Sequence, residues 1–251
     1  MSNEGNLIKG RGAQLNVSNR FEAQQHEFRD DFLNYCATEG DEVQNNNTVL
    51  IDTFPKTIVN KVNSPDVGME YSLNPYQGCE HGCIYCYARN SHEYWGYSAG
   101  LDFERKILVK KNAVELLEKK LRSRKWEAKP IILSGNTDCY QPIEKKLKIT
   151  RQLLETFLKY KHPVGIITKN ALLQRDMDIL RELAEDDLVS VTLSVTSLSE
   201  ETRRILEPRT ASIKKRLETI EILSRNNIPV NVMMAPIIPA INSHEIMSLA
   251  K

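Results

Sequence analysis

Four short aliphatic runs recur through the second half of the chain: Ile131-Ile132-Leu133, Val164-Gly165-Ile166-Ile167-Thr168, the stretch Leu188 to Val195, and Val230-Asn231-Val232-Met233-Met234. Each is too short for a buried helix and rich in β-branched residues, so each predicts a strand. The intervening segments repeat apolar residues three and four positions apart. Leu153, Phe157 and Leu158 mark a helix over Ile149 to Tyr160, a second runs from about Leu172 to Ala184, and Ile213, Leu217, Ile220 and Leu223 mark a third. Strands alternating with helices pair in parallel, because each helical crossover returns the chain to the same sheet edge and covers a face. Upstream, Met69 to Tyr76 predicts one more strand, and Ile107, Val114, Leu117 and Leu121 predict a single helix over Phe103 to Arg124. Ser243 is the expected cap of a last helix. The class is α/β, and the expected architecture is a partial TIM-like (β/α) barrel whose open side further strands after Lys251 would close.

Residues 1–68 read differently. Gly5, Gly10 and Gly12, a polar stretch from Arg20 to Asp31, and the run Glu39-Gly40-Asp41-Glu42 to Asn45-Asn46-Asn47 predict an irregular extension that packs on or gates a core of residues 69–251. Thr48 to Ile51 and Thr57 to Val59 offer short strands within it. Two readings stay open for its charges. The extension is a solvent-facing arm, or Arg11 and Arg20 form a basic gate over nucleic acid or a phosphate-bearing substrate.

Composition narrows the class. The 251 residues are 41% apolar and carry a formal net charge of +1, so no global positive field marks a nucleic-acid binder. No apolar run approaches the roughly 20 residues that span a bilayer. Met1 to Asn6 lacks the basic and apolar regions of a secretory signal, which makes the cytoplasm the expected compartment. Five cysteines, with Cys36 and Cys139 isolated and three clustered, fit a reduced metal site better than a disulfide framework.

That cluster is Cys79-Glu80-His81-Gly82-Cys83-Ile84-Tyr85-Cys86. Thiolates separated by three and then two residues can converge on one face of a cubane, since cluster iron takes thiolate sulfur as a soft, charge-donating ligand. Gly78 and Gly82 relieve crowding where the backbone bends, and Tyr85 and Tyr87 shield the metal. A missing fourth local cysteine leaves one iron able to bind a small molecule and pass it an electron. Zinc is the competing reading, with His81 completing a tetrahedral site.

The spacing, with an aromatic residue just before Cys86, resembles that of radical S-adenosylmethionine enzymes, and the chain from residue 69 to 251 is similar to their spore photoproduct lyase-like, DNA repair photolyase-like branch. The resemblance implies a [4Fe-4S] cluster on Cys79, Cys83 and Cys86, with the amino and carboxylate groups of S-adenosyl-L-methionine on the open iron. It implies reductive cleavage to a 5'-deoxyadenosyl radical that abstracts substrate hydrogen, and a reducing partner such as flavodoxin or ferredoxin. The radical chemistry belongs to the cofactors, and the protein orients them.

Further residues follow from the same likeness. Ser134-Gly135-Asn136-Thr137-Asp138 follows the second core strand, where the family carries a glycine-rich turn against the cofactor amine; here paired glycines followed by Glu are absent. Gly135 permits close backbone approach, and Thr137 and Asp138 offer oxygen acceptors; an ordinary polar turn is the alternative. Ser194, Thr196 and Arg209 resemble ribose- and carboxylate-facing positions, Arg209 through its guanidinium fork. Asn242, closing Ala235-Pro236-Ile237-Ile238-Pro239, is expected at the cofactor edge or as a cap, and Tyr85 borders the same pocket. Cys139 is a candidate hydrogen donor with Tyr140 as relay, or a buried structural cysteine.

The basic stretch Glu104 to Lys129, with Lys110, Lys111, Lys119, Lys120, Arg122, Arg124 and Lys125, is a phosphate-attracting patch or a solvated helix surface. The leading expectation is an enzyme that repairs or modifies nucleic acid. A peptide- or small-metabolite-modifying radical enzyme and a non-catalytic zinc-binding nucleic-acid module are the alternatives. The oligomeric state has no sequence signal.

Overall fold

The computed structural model describes residues 8–21, 47–64 and 68–250. Cys36, most of the polar stretch after Arg20, and the Glu39 to Asn46 run lie outside the described residues. Nine strands are present among the described residues: β1 (Val49–Thr53), β2 (Val59–Lys61), β3 (Tyr71–Leu73), β4 (Tyr76–Gln77), β5 (Lys106–Lys110), β6 (Ile131–Leu133), β7 (Val164–Thr168), β8 (Val189–Ser194) and β9 (Val230–Met233). The principal helices are α1 (Ala113–Leu121), α2 (Ile149–Lys159), α3 (Met177–Glu185), α4 (Glu200–Leu206) and α5 (Ile213–Arg225).

Six strands form one sheet in the order β2-β3-β6-β7-β8-β9. Only the β2–β3 pair is antiparallel; from β3 onward every neighbour is parallel, with Leu133 opposite Ile166 and Val191 opposite Val230. The sheet's outer strands, β2 and β9, are not paired with each other, so the barrel stays open, short of the eight parallel strands of a closed one. Parallel pairing places the ends of β3, β6, β7, β8 and β9 on one edge, where ligand-binding loops of such sheets gather.

Beneath the sheet, Leu133, Ile166, Val191 and Leu193 meet Leu117 of α1, Leu153 and Phe157 of α2, Leu180 and Leu183 of α3, and Leu223 of α5 in one buried core. A fully buried Leu or Phe contributes about 1.5–3 kcal/mol, which is why these stripes fix the helices to the sheet. Caps set two helix starts: Ser199 accepts from the Thr202 amide before α4, and Ser212 from the Lys215 amide before α5.

Three expectations change. The helix predicted over Phe103 to Arg124 is broken by β5, which lies between β1 and β4 in a separate three-stranded sheet. Ile107, Leu108 and Val109 are all buried there, and pairing with β1 overrides a helical spacing that continues through Leu117 and Leu121. The strand predicted over Met69 to Tyr76 divides into β3 and β4 at Asn74-Pro75, because proline has no amide for the ladder. The helix predicted from Leu172 starts instead as a 3-10 turn over Ala171–Asp176 that leads into α3.

The described parts of residues 1–68 pair with the rest of the chain. β1 joins β5, β2 joins β3, and residues 8–21 run along the segment that follows the cysteines. There the Leu15 carbonyl accepts from the Leu101 amide at 3.2 Å, the Ser98 hydroxyl donates to the Val17 carbonyl at 2.6 Å, and buried Asn19 donates to the Glu93 carbonyl at 3.0 Å.

Candidate active site

The cysteine loop leaves the end of β4 in a conformation that only glycine adopts readily: Gly78 and Gly82 have φ of +83° and +68°. The Cys79 amide donates to the Phe103 carbonyl at 2.8 Å, the Glu80 amide to Gln141 Oε1 at 2.9 Å, and the Ile84 amide to the Leu206 carbonyl at 3.0 Å. The Arg209 amide donates to the His81 carbonyl at 3.1 Å. Each bond comes from a different element, so the loop is held from several sides.

Cys79, Cys83 and Cys86 are free thiols, the first two buried and the third half-buried. Burial pushes all three upward, Cys83 to about 12, and neighbouring thiolate charge adds to the rise for Cys79 and Cys83. A positive centre among them would relieve both effects, so this donor set fits an iron-sulfur cluster, whose irons take thiolate sulfur. Among the described residues no three His, Cys, Asp or Glu side chains converge as ligands of a single ion. His81 is engaged elsewhere, with Nδ1 3.3 Å from Asp138 and Nε2 3.2 Å from Asn170 Nδ2. Both ring nitrogens of His81 are thus spent on Asp138 and Asn170.

The turn after β6 sorts its residues by direction. Ser134 has φ of +70°, and a Cβ on Gly135 would sit 2.7 Å from Ser72 Cβ. The Gly135 carbonyl accepts from Tyr87 Oη at 2.7 Å, linking this turn to the cysteine loop. Thr137 is buried and donates to the Tyr76 carbonyl at 2.7 Å. Asp138 accepts from the Thr168 hydroxyl at 2.8 Å, the Lys169 amide at 2.8 Å and the Tyr140 amide at 2.8 Å, besides meeting His81. Burial works to raise the Asp138 carboxyl, but His81 and these donors outweigh it and hold it below its ordinary value. Its oxygens thus tie β6, β7 and the cysteine loop together. Cys139 and Tyr140, the candidate hydrogen donor and relay, turn the other way. Both are 0% exposed within the main core, and Tyr140 Oη donates to buried Asp176 at 3.0 Å. Past Asp138 both side chains are enclosed among core residues.

At the exit of β8 a buried carboxylate that sequence reasoning missed organises the pocket. Glu207 accepts from the hydroxyls of Tyr85 and Thr196, the latter at 2.7 Å, and pairs with Arg216 at 2.5 Å and Lys169 at 3.2 Å. Burial pulls Glu207 upward, yet Lys169, Arg216 and the two hydroxyls hold it at about 2. Tyr85, whose phenol is raised by burial and by the charges of Cys83 and Glu207, is thereby fixed against β8. Lys169 Nζ lies 5.6 Å from the Tyr85 ring centroid. The signals for both missed residues are positional: Lys169 directly follows β7, and Glu207 stands two residues before Arg209.

The remaining expected residues divide. Arg209, 30% exposed, faces Glu80 at 3.5 Å. Ser194 is buried, and its carbonyl accepts from Arg216 at 3.0 Å. Asn242 is buried and ties its own loop to the exit of β8, donating to the Pro236 carbonyl at 2.9 Å and the Thr196 carbonyl at 2.7 Å and accepting from the Ile238 amide at 2.6 Å. It does not cap the Ser243–Glu245 turn with its side chain. Arg11 donates to the Glu104 carbonyl at 2.7 Å and to Thr48 at 3.3 Å, and Arg20 pairs with Glu93 at 3.0 Å while lying over Phe21. The Arg20 side chain stays 53% exposed.

A fold of parallel strands with three free thiols at their ends has recognisable relatives. The model of the Radical SAM superfamily matches residues 73–251, and the chain belongs to that superfamily of enzymes. A Mycobacterium tuberculosis protein is 34% identical over 73% of this chain and 54% of its own length. A Methanocaldococcus jannaschii protein is 30% identical over 78% of this chain and 70% of its own. Both carry the description of uncharacterized protein. This chain thus spans about half the length of the mycobacterial relative. In fold it is similar to spore photoproduct lyase complexed with dinucleoside spore photoproduct, with TM-score 0.55 at 18% identity over 76% of this chain and 52% of that one. A cysteine variant of spore photoproduct lyase gives TM-score 0.56 at 16% identity over 83% and 63%. Among the described residues no helix is long and apolar enough to cross a membrane.

Proposed function

We propose that this chain is a radical S-adenosylmethionine enzyme that acts on nucleic acid. The carrying observation is the set of three free thiols on one loop at the ends of five parallel strands. Cys79, Cys83 and Cys86 would hold a [4Fe-4S] cluster. When bound, the reduced cluster would supply the one electron that breaks a carbon–sulfur bond of S-adenosylmethionine, leaving methionine and a carbon-centred radical.

The chain's own residues orient and shield. Lys169 and Arg209 are cations bordering the loop, 19% and 30% exposed, and suit the cofactor carboxylate. The Gly135 turn offers a close backbone approach for the amine. Thr196 and Tyr85, held by Glu207, form the wall opposite. Thr137, Asp138, Ser194 and Asn242 act behind this surface, fixing its backbone.

For the substrate, Tyr87 is 76% exposed beside Cys86, placing an aromatic face where a base can stack. Likeness of fold to a lyase solved with a dinucleoside supports the same class. The electron would come from a reducing partner of the flavodoxin or ferredoxin kind.

Anaerobic reconstitution followed by S-adenosylmethionine cleavage with single-stranded DNA, duplex DNA and RNA tests both levels. Iron-dependent formation of 5'-deoxyadenosine that rises with one polymer is the expected result. Cleavage indifferent to all three removes the nucleic-acid reading, and a chain that holds no iron removes the cluster.

A further inference from the structure

Between Cys86 and β5, one half-buried and one buried charged side chain pack against the cysteine loop. Arg89, with 13% of its side chain exposed, donates to the Cys83 carbonyl twice, from Nε at 3.2 Å and Nη2 at 2.9 Å. Its other nitrogen, Nη1, donates to the Gly100 carbonyl at 3.2 Å, and the guanidinium carbon lies 5.4 Å from the Phe103 ring centroid. Nη2 also meets Glu104 Oε1 at 2.5 Å, and the Glu104 side chain is 0% exposed.

Glu104 lies against Gly82 of the loop and also reaches the N-terminal arm. Its Oε1 accepts from the Ala13 amide at 2.8 Å and its Oε2 from the Gly12 amide at 3.1 Å. Gly12 is seated so tightly that an added Cβ would fall 1.9 Å from the Gly82 carbonyl oxygen. One connected path therefore runs from the N-terminal arm, through Glu104 and Arg89, to the backbone of Cys83.

We propose that Arg89 is a positioning residue for the cluster ligand Cys83 and that, anchored by Glu104 and the arm, it raises the reduction potential of the centre held there. The inference rests on the cluster reading above. Its physical basis is charge balance. The Arg89 guanidinium donates to the Cys83 carbonyl, while the Glu104 carboxylate, which also lies against Gly82 of the loop, is neutralised by Arg89 and two arm amides. The cation therefore keeps a net negative charge from the centre and favours the state with the extra electron. The fork of two bonds on one carbonyl fixes the loop as a single contact could not.

Arg89→Gln and Arg89→Lys separate charge from geometry. The full chain and both variants are reconstituted anaerobically, the potential is read by EPR during a dye-mediated titration, and iron loss is followed by transfer to a chelator. Arg89→Gln leaves Glu104 without its cation, so its potential moves to more negative values and iron leaves roughly 10–100-fold faster. Arg89→Lys keeps the charge and loses the fork, so its potential stays near that of the parent while iron loss still accelerates. If Arg89→Gln matches the parent in both readouts, the proposal is overturned. If Arg89→Gln yields no folded chain, Arg89→Lys decides: unchanged iron loss overturns the positioning role. A parent chain that takes up no iron sinks the cluster reading and this inference together, whereas a parent cluster indifferent to Arg89 sinks the inference alone.

Discussion

The Asp138 carboxylate lies 3.3 Å from Nδ1 of His81, so the turn after β6 and the middle of the cysteine loop share one buried contact. Because the same carboxylate also accepts from Thr168 and Lys169 of the β7 end, it sets the distance between three of the loops that surround the thiols.

Asp138→Ala strands several buried donors at once, each costing about 1–3 kcal/mol. The expected outcome is a urea midpoint lowered by more than a surface substitution would cause, together with loss of iron uptake. Retention of parental iron stoichiometry would separate Asp138 from the site.

Glu207→Gln leaves Arg216, 0% exposed, without its partner. Removing one member of a buried pair costs about 3–5 kcal/mol, measurable by denaturant titration. The pH dependence has a definite sign. The carboxyl is depressed from 4.5 to about 2, so its contribution is fully present above pH 4.5 and is lost as pH falls through about 2. Thermal melts between those values should show the parent losing stability relative to Glu207→Gln, with the gap closing at the acid end.

Gly12→Val must displace the arm, because its Cβ would collide with the Gly82 carbonyl 1.9 Å away. Backbone cannot yield as a flexible side-chain tip does, and overpacking of this kind costs about 1–3 kcal/mol. Limited proteolysis should cut within residues 8–21 sooner than in the parent. An unchanged digestion pattern would show that the arm does not depend on that contact.

Cys139 sits in the core at 0% exposure, while Cys86 is half-buried at the pocket. In the cluster-free chain, a thiol reagent should label Cys86 first and Cys139 only on unfolding. Cys139→Ala should lower stability by about 1–2 kcal/mol and leave the radical products unchanged. An altered product distribution would restore Cys139 as a hydrogen donor.

Arg209→Gln should weaken S-adenosylmethionine binding while sparing cluster assembly, since its backbone amide still holds the His81 carbonyl and the side chain it loses meets the loop at Glu80 alone, 3.5 Å away. Equilibrium dialysis of the reconstituted protein reads the affinity, and parental binding would reassign the cofactor carboxylate to Lys169.

Much of this protein is local in origin and was legible as sequence. The spacing of Cys79, Cys83 and Cys86 places three thiols on one loop whatever surrounds it, and short β-branched aliphatic runs between amphipathic segments predict β6 to β9. Tertiary structure decided the rest. Ile107 became strand rather than helix because β1 lay ready to pair with it, and Cys139 went to the core rather than the pocket because Asp138 was drawn toward His81 and Lys169. The partners of the buried charges Glu104 and Glu207 come from residues up to 92 and 122 positions away. A buried charge takes whichever partner the packed sheet and loops bring within reach, and spacing along the chain carries no record of that choice.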